Sequence, residues 1–150
     1  MNYPMTILKQ VHAEAKEVLT NLGTSDPGKA RHGMVAKVTT TLELHMSIEE
    51  ALVYPLVEKA EGAHVGHEAD VEHGLAREGI ATMNKMVDEP GFGAAVESLL
   101  GGMLHHMHQE ETEILPALQN KLSAAEWAAL GDEVAAAHAA GAVPAMPAAR

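Results

Sequence analysis

Residues 42–59 read LELHMSIEEALVYPLVEK. His45 stands four residues before Glu49, and the flanks are apolar. A spacing of four puts both side chains on one face of a helix, about 6 Å apart along its axis. Extended in both directions, Val35, Val38, Leu42, His45, Glu49, Leu52 and Leu56 follow an unbroken 3-4-3-4 spacing. That is the mark of a helix with one buried face. A histidine and a carboxylate thus lie on the face that should be driest. Pro55 falls inside the same helix and is expected to kink it or end its regular part.

The stripe occurs twice. Moved by 61 residues, it becomes Val96, Leu99, Met103, His106, Glu110, Glu113 and Ala117. The same shift carries Leu8, His12, Ala15, Leu19 and Leu22 onto Ala69, His73, Ala76, Ile80 and Met83. Glu50 maps onto Glu111, Pro55 onto Pro116, and Lys16-Glu17 onto Arg77-Glu78. The chain reads as two copies of a helical hairpin related by a pseudo-twofold axis. Turn residues separate the helices, with Asp26 read as an N-cap and Pro27 as the first residue of the second helix. The third helix is expected over about 66–87, and His64 and His67, beside its start, are read as loop residues. Ser123-Ala-Ala-Glu126 has the pattern of a capping box. The predicted fold is all-α: an up-down-up-down four-helix bundle with a short fifth C-terminal helix. One domain is expected over 1–140, with hairpins at about 4–61 and 66–122, a helix at 124–140 and a loose tail over 141–150.

Composition narrows the function. The chain has 150 residues, 47% hydrophobic but 3% aromatic, so its core must be built from leucine, valine, alanine and nine methionines. A net charge of −11 argues against nucleic acid or an anionic membrane as partner. Cysteine is absent, which excludes disulfides, iron–sulfur clusters and thiol nucleophiles. No apolar stretch approaches the ~20 residues of a membrane span, and the first residues lack a secretory pattern. A cytoplasmic protein is expected. Ten histidines stand out, because histidine is the commonest metal ligand.

Four of them, His12, His45, His73 and His106, fall on buried stripes, with Glu49 and Glu110 one turn after the second and fourth. Unpaired buried carboxylates cost several kcal/mol. Two cations ~3.5–4 Å apart, bridged by the carboxylates, would satisfy the set. Imidazole and carboxylate donors without thiolate suit iron, manganese or zinc. Ferritin-like proteins place their motif as Glu-x-x-His, which is the reverse order, and no His-Glu-x-x-His of a zinc protease occurs. His32, His105, His108 and His138 have no place in the pattern.

The residues His12, His45-x-x-x-Glu49-Glu50 with Tyr54-Pro55, His73, and His106-x-x-x-Glu110-Glu111 with Pro116 resemble the hemerythrin-like (HHE cation-binding) family over about residues 5–120. The resemblance implies a bundle around two oxo- or hydroxo-bridged iron ions. His12 and His45 would bind one iron and His73 and His106 the other, with Glu49 and Glu110 bridging. Oxygen-carrying members have a second histidine four residues before the one on helix three; here that residue is Ala69. Tyr54 and Asp70 are the nearest replacements by type. On an ideal helix Tyr54 lies roughly opposite the stripe, although Pro55 can distort that turn. The family's helix-four carboxylate sits five residues after its histidine, at Glu111, whereas the repeat favours Glu110; both stay open here. Glu50 and Glu111 otherwise read as supports for ligand histidines. The Glu-x-x-x-Tyr-Pro segment is similar to that of small mycobacterial hemerythrin-like proteins, which are associated with peroxide decomposition and nitric-oxide chemistry. The implied function is therefore reaction with hydrogen peroxide or nitric oxide. The alternatives are O2 binding or sensing, or iron binding without turnover. The expected partners are these small molecules and a redox partner, around a monomer or weak homo-oligomer.

Overall fold

The computed structural model describes residues 3–143. Its helices are α1 (Pro4–Gly23), α2 (Lys29–Ile48), α3 (Tyr54–Glu61), α4 (Ala63–Lys85), α5 (Phe92–Gln109), α6 (Leu115–Lys121) and α7 (Ala124–Ala140). A π turn over Glu49–Val53 joins α2 to α3, and another over Glu110–Ile114 joins α5 to α6. The four bundle helices are therefore α1, α2 with α3, α4, and α5 with α6. α7 packs on α1 and α2. It opens with the predicted capping box, Glu126 N–H donating to Ser123 Oγ at 3.1 Å and Ser123 N–H to Glu126 Oε1 at 2.9 Å. No helix among the described residues is long and apolar enough to cross a membrane.

Two boundaries differ from the sequence expectation. α2 begins at Lys29, after Gly28, rather than at Pro27 with Asp26 as cap. Gly28 has φ 139°, a conformation that L side chains rarely adopt, so glycine is favoured at the entry to α2. Gly62, at φ 103°, is the one residue between α3 and α4. It lets α4 start at Ala63, which puts His64 and His67 on its first turns rather than in a loop. Val143, in the stretch expected to be a loose tail, packs against the core, and residues 144–150 lie outside the described residues.

The prolines act one step earlier than a simple kink. Tyr54 N–H bonds Glu49 O and Leu115 N–H bonds Glu110 O, each five residues back. Pro55 and Pro116 follow and have no N–H with which to continue the ladder. Each wide turn holds an extra residue, and one residue corresponds to about 100° of helix rotation. The buried positions move accordingly. Val53, Tyr54 and Val57 face the core while Leu56 is half-buried; Ile114, Leu115 and Leu118 face it while Glu113, expected on the stripe, is exposed.

Two apolar clusters fill the bundle. One gathers Leu8, Ile48, Val53, Tyr54, Ala69 and Leu115 with Trp127, Leu130 and Val134 of α7. The other gathers Leu19, Leu42, Met46, Ile80, Phe92 and Leu99 with their neighbours. In sequence, each stripe histidine stands between a member of one cluster and a member of the other. At the far end, the Arg31 guanidinium lies 4.1 Å over the Phe92 ring, its own repeat mate, and donates to Val87 O at 3.1 Å. That contact between equivalent positions crosses the pseudo-twofold axis.

Candidate metal centre

His12 of α1, His45 of α2, His73 of α4 and His106 of α5 are buried together with Glu49 and Glu110. His12 Nε2 lies 3.0 Å from His45 Nε2 and 3.4 Å from Glu110 Oε1. Glu49 Oε1 lies 3.3 Å from Nε2 of both His45 and His73. His106 Nε2 lies 3.1 Å from Glu110 Oε2. Each glutamate thus spans a histidine of one hairpin and a histidine of the other. The ligand atoms form two groups able to hold a metal ion, each within 4.8 Å: His12, His45, Glu49 and Glu110, and Glu49, His73, His106 and Glu110. The groups share both carboxylates.

The outer nitrogens settle which way the inner ones face. His73 Nδ1 donates to Glu50 at 2.7 Å, His106 Nδ1 to Glu72 at 3.0 Å and His12 Nδ1 to Glu111 at 3.3 Å. A neutral imidazole carries one hydrogen, so with that hydrogen held outward each of the three would offer a bare Nε2 to a bound ion. Glu50 and Glu111 therefore support histidines, and it is Glu110, not Glu111, that faces the centre. His45 Nδ1 has no partner. The repeat explains the difference, because the position of Glu72 is occupied by Val11 in the first hairpin.

The electrostatics call for a cation. Neither oxygen of Glu49 has a hydrogen-bond partner, and Glu110 Oε1 also lacks one. Burial, and then the neighbouring Glu110, push Glu49 well above the ordinary carboxylate range. Burial pushes Glu110 the same way, but Glu49, His106 and His12 outweigh it and hold Glu110 well below that range. The pair carries one proton where a dication would let both ionise. Burial, with His12 beside it, pulls His45 down to about 3, so its imidazole is neutral, as ligation requires. The lone pairs, the unpartnered oxygens and the absence of thiolate together fit an N,O-ligated metal.

Tyr54 is brought in by the π turn. Its hydroxyl donates to Glu110 Oε2 at 2.7 Å and lies 3.1 Å and 3.0 Å from Nε2 of His73 and His106. Burial, then Glu49 and Glu110, raise its pKa well above the ordinary value, so it keeps its proton. It belongs to the same core cluster as Ala69. Asp70 is exposed on α4 and takes no part in either group. Sequence reasoning missed two neighbours. Glu72 directly precedes His73, but its repeat mate is a valine and the comparison of hairpins passed over it. His138 of α7 stacks on His45, with centroids 5.8 Å apart and planes at 27°; no periodicity points to it.

A model of the hemerythrin HHE cation-binding domain matches residues 3–118. In three dimensions the chain is similar to a crystal structure of a hemerythrin HHE cation-binding domain-containing protein from Mycobacterium kansasii. The TM-score is 0.83 at 23% identity, over 94% of this chain and 88% of that one. That likeness concerns the fold. No curated protein is significantly similar to the chain. With most of its length matched and a buried His/Glu layer where its two hairpins meet, the chain belongs to the hemerythrin HHE cation-binding domain family.

Proposed function

We propose that this protein holds two bridged iron ions and decomposes hydrogen peroxide. The observation that carries the reading is the pair of four-residue groups sharing Glu49 and Glu110. Two groups with common carboxylates suit two neighbouring ions better than one. His12 and His45 would hold one, and His73 and His106 the other. When bound, the irons would supply the two-electron change by which one peroxide is reduced and a second oxidised, 2 H2O2 giving O2 and 2 H2O.

The chain's own groups bind and move protons. Tyr54 holds a hydroxyl proton 2.7 Å from Glu110 and within reach of two histidines. In the metal-free centre the Glu49–Glu110 pair stores another, which a dication displaces. Glu50, Glu72 and Glu111 orient three imidazoles, and the apolar cluster of Leu8, Val53 and Leu115 closes the layer on one side. The test is metal analysis with an optical spectrum of aerobically purified protein, followed by O2 evolution from hydrogen peroxide. Two irons per chain and turnover well above free iron are expected. One ion per chain overturns the paired site. Turnover no faster than free iron overturns the peroxide reading, and nitric-oxide consumption by the same protein would then replace it.

A further inference from the structure

A cavity of about 500 Å3 opens between α4 and α5 and ends at the His/Glu layer, where Glu49, His73 and His106 line it. Part of it is the space between the ligand side chains, but it continues to Thr82 and Ser98. Hydrogen peroxide has no use for such a volume, since a water-sized molecule takes about 30 Å3. Pockets for organic ligands start at about 300 Å3.

Most of the cavity lining comes from the second hairpin. Gly79 and Gly102 line it, where the first hairpin has Val18 and Thr41. A Cβ on Gly79 would come within 3.0 Å of Leu99, while one on Gly102 would meet nothing within 4 Å. In the first hairpin α7 packs on α1 and α2, and its buried residues join the cluster of Leu8 and Val53. The walls include Leu75, Leu99 and Met103, and Glu72 and Glu78 line it as well. In a chain of net charge −11 such carboxylates repel anions. The lining therefore suits a neutral molecule with an apolar body and a small polar head, and the His/Glu layer at the inner end of the cavity marks where the head goes.

We propose that this cavity binds a neutral organic hydroperoxide, ROOH, with its apolar body along Leu75, Leu99 and Met103 and its oxygens at the His/Glu layer. The inference rests on the peroxide reading and names a substrate class for it. The balanced reaction is ROOH + H2O2 giving ROH + O2 + H2O. The O–O bond of the hydroperoxide breaks and it is reduced to the alcohol; hydrogen peroxide is oxidised and gives up its two hydrogens.

The experiment titrates 2-phenyl-2-propanol, the unreactive alcohol of cumene hydroperoxide, into the metal-loaded and the metal-free protein. It follows the amide resonances in the metal-free form and the melting temperature in both. Saturable shifts at Gly79, Thr82 and Gly102 are expected, with octanoate, an anion, at least tenfold weaker. Gly102→Phe should lower the alcohol's affinity at least tenfold while metal content and circular dichroism stay as in the parent; Gly102→Val should give a smaller loss in the same direction. No saturable binding, equal binding of octanoate, or indifference to both substitutions overturns the site even if hydrogen peroxide is still decomposed. Alcohol binding without consumption of cumene hydroperoxide, when hydrogen peroxide is consumed, overturns the substrate class. Alcohol binding with no peroxide of either kind consumed overturns the peroxide reading instead.

Discussion

In the second hairpin, His73 meets Glu50 at 2.7 Å, and Glu50 in turn is gripped by Arg77 through Nη1 at 2.8 Å and Nη2 at 3.0 Å. Arg77 is itself held by Glu43 at 3.1 Å. In the first hairpin, His12 meets Glu111 at 3.3 Å, and the position of Arg77 is taken by Lys16. The other supports diverge in the same way. Tyr54 reaches the centre on the second side, where its repeat mate is Leu115. His106 has Glu72, whereas His45 has a stacked His138 and no partner on Nδ1. The second hairpin lines most of a cavity, and α7 packs on the first. A duplicated His/Glu set has thus been fitted with two different surroundings. Identical side chains facing the centre do not make its two halves equivalent.

The largest effect should come from what the hairpins share. Glu110→Gln removes the charge of a carboxylate that both groups share, and on the proposed paired site it should take metal content from two ions per chain toward none by plasma mass spectrometry. Glu111→Gln should weaken only the His12 side, by on the order of tenfold. Equal losses would mean that the two glutamates are not distinguished as the geometry indicates.

Arg77→Met should come next. Loss of an orienting partner typically costs 10–100-fold in metal affinity, and here the loss should fall on one ion of the two. Lys16→Met should stay within about twofold, which competition with a chelator can resolve. The acid limb of metal-free stability gives an independent check. Burial works to raise the Glu50 pKa, but Arg77 and His73 outweigh it and lower it below its ordinary 4.5. A depressed carboxylate contributes stability that is present above the ordinary pKa and lost as pH falls through the folded one. Arg77→Met should therefore move acid unfolding, followed by circular dichroism, to higher pH.

Tyr54→Phe leaves the buried Glu110 without its hydroxyl donor, at a cost of about 1–3 kcal/mol in urea unfolding of the metal-free protein. Leu115→Met, at the equivalent position, should cost less than about 1.5 kcal/mol. His138→Ala should have the smallest effect, about 1 kcal/mol or less, because ring pairs contribute about 0.5–1.5 kcal/mol when well packed. It should alter the Mössbauer signal of the ion on the His12 side and leave the other unchanged. A change in both signals would mean that α7 acts on the whole bundle.

How much of this was legible follows from the range of each interaction. The histidines on their stripes, the one-turn spacing to Glu49 and Glu110, and the capping box at Ser123 depend on contacts within four residues. A helix fixes those by its rise and rotation. The 61-residue repeat also favoured Glu110 over Glu111, because equivalent helices must meet the axis alike. An ideal helix puts Tyr54 on the far face, and the distortion expected of Pro55 is what carries it to the centre. Periodicity assumes a constant rotation, and each π turn breaks it by one residue.

Glu72, His138 and the cavity depend on which side chains from different helices come to lie together. Val11 and Glu72 sit at the same repeat position, and no rule of local spacing distinguishes a residue that packs sideways from one that orients a neighbour's imidazole. The layer of four histidines and two glutamates and the bundle that carries it were thus encoded along each helix. The inequivalence of its two halves arises between helices, where α7 packs on the first hairpin and the second lines most of the cavity.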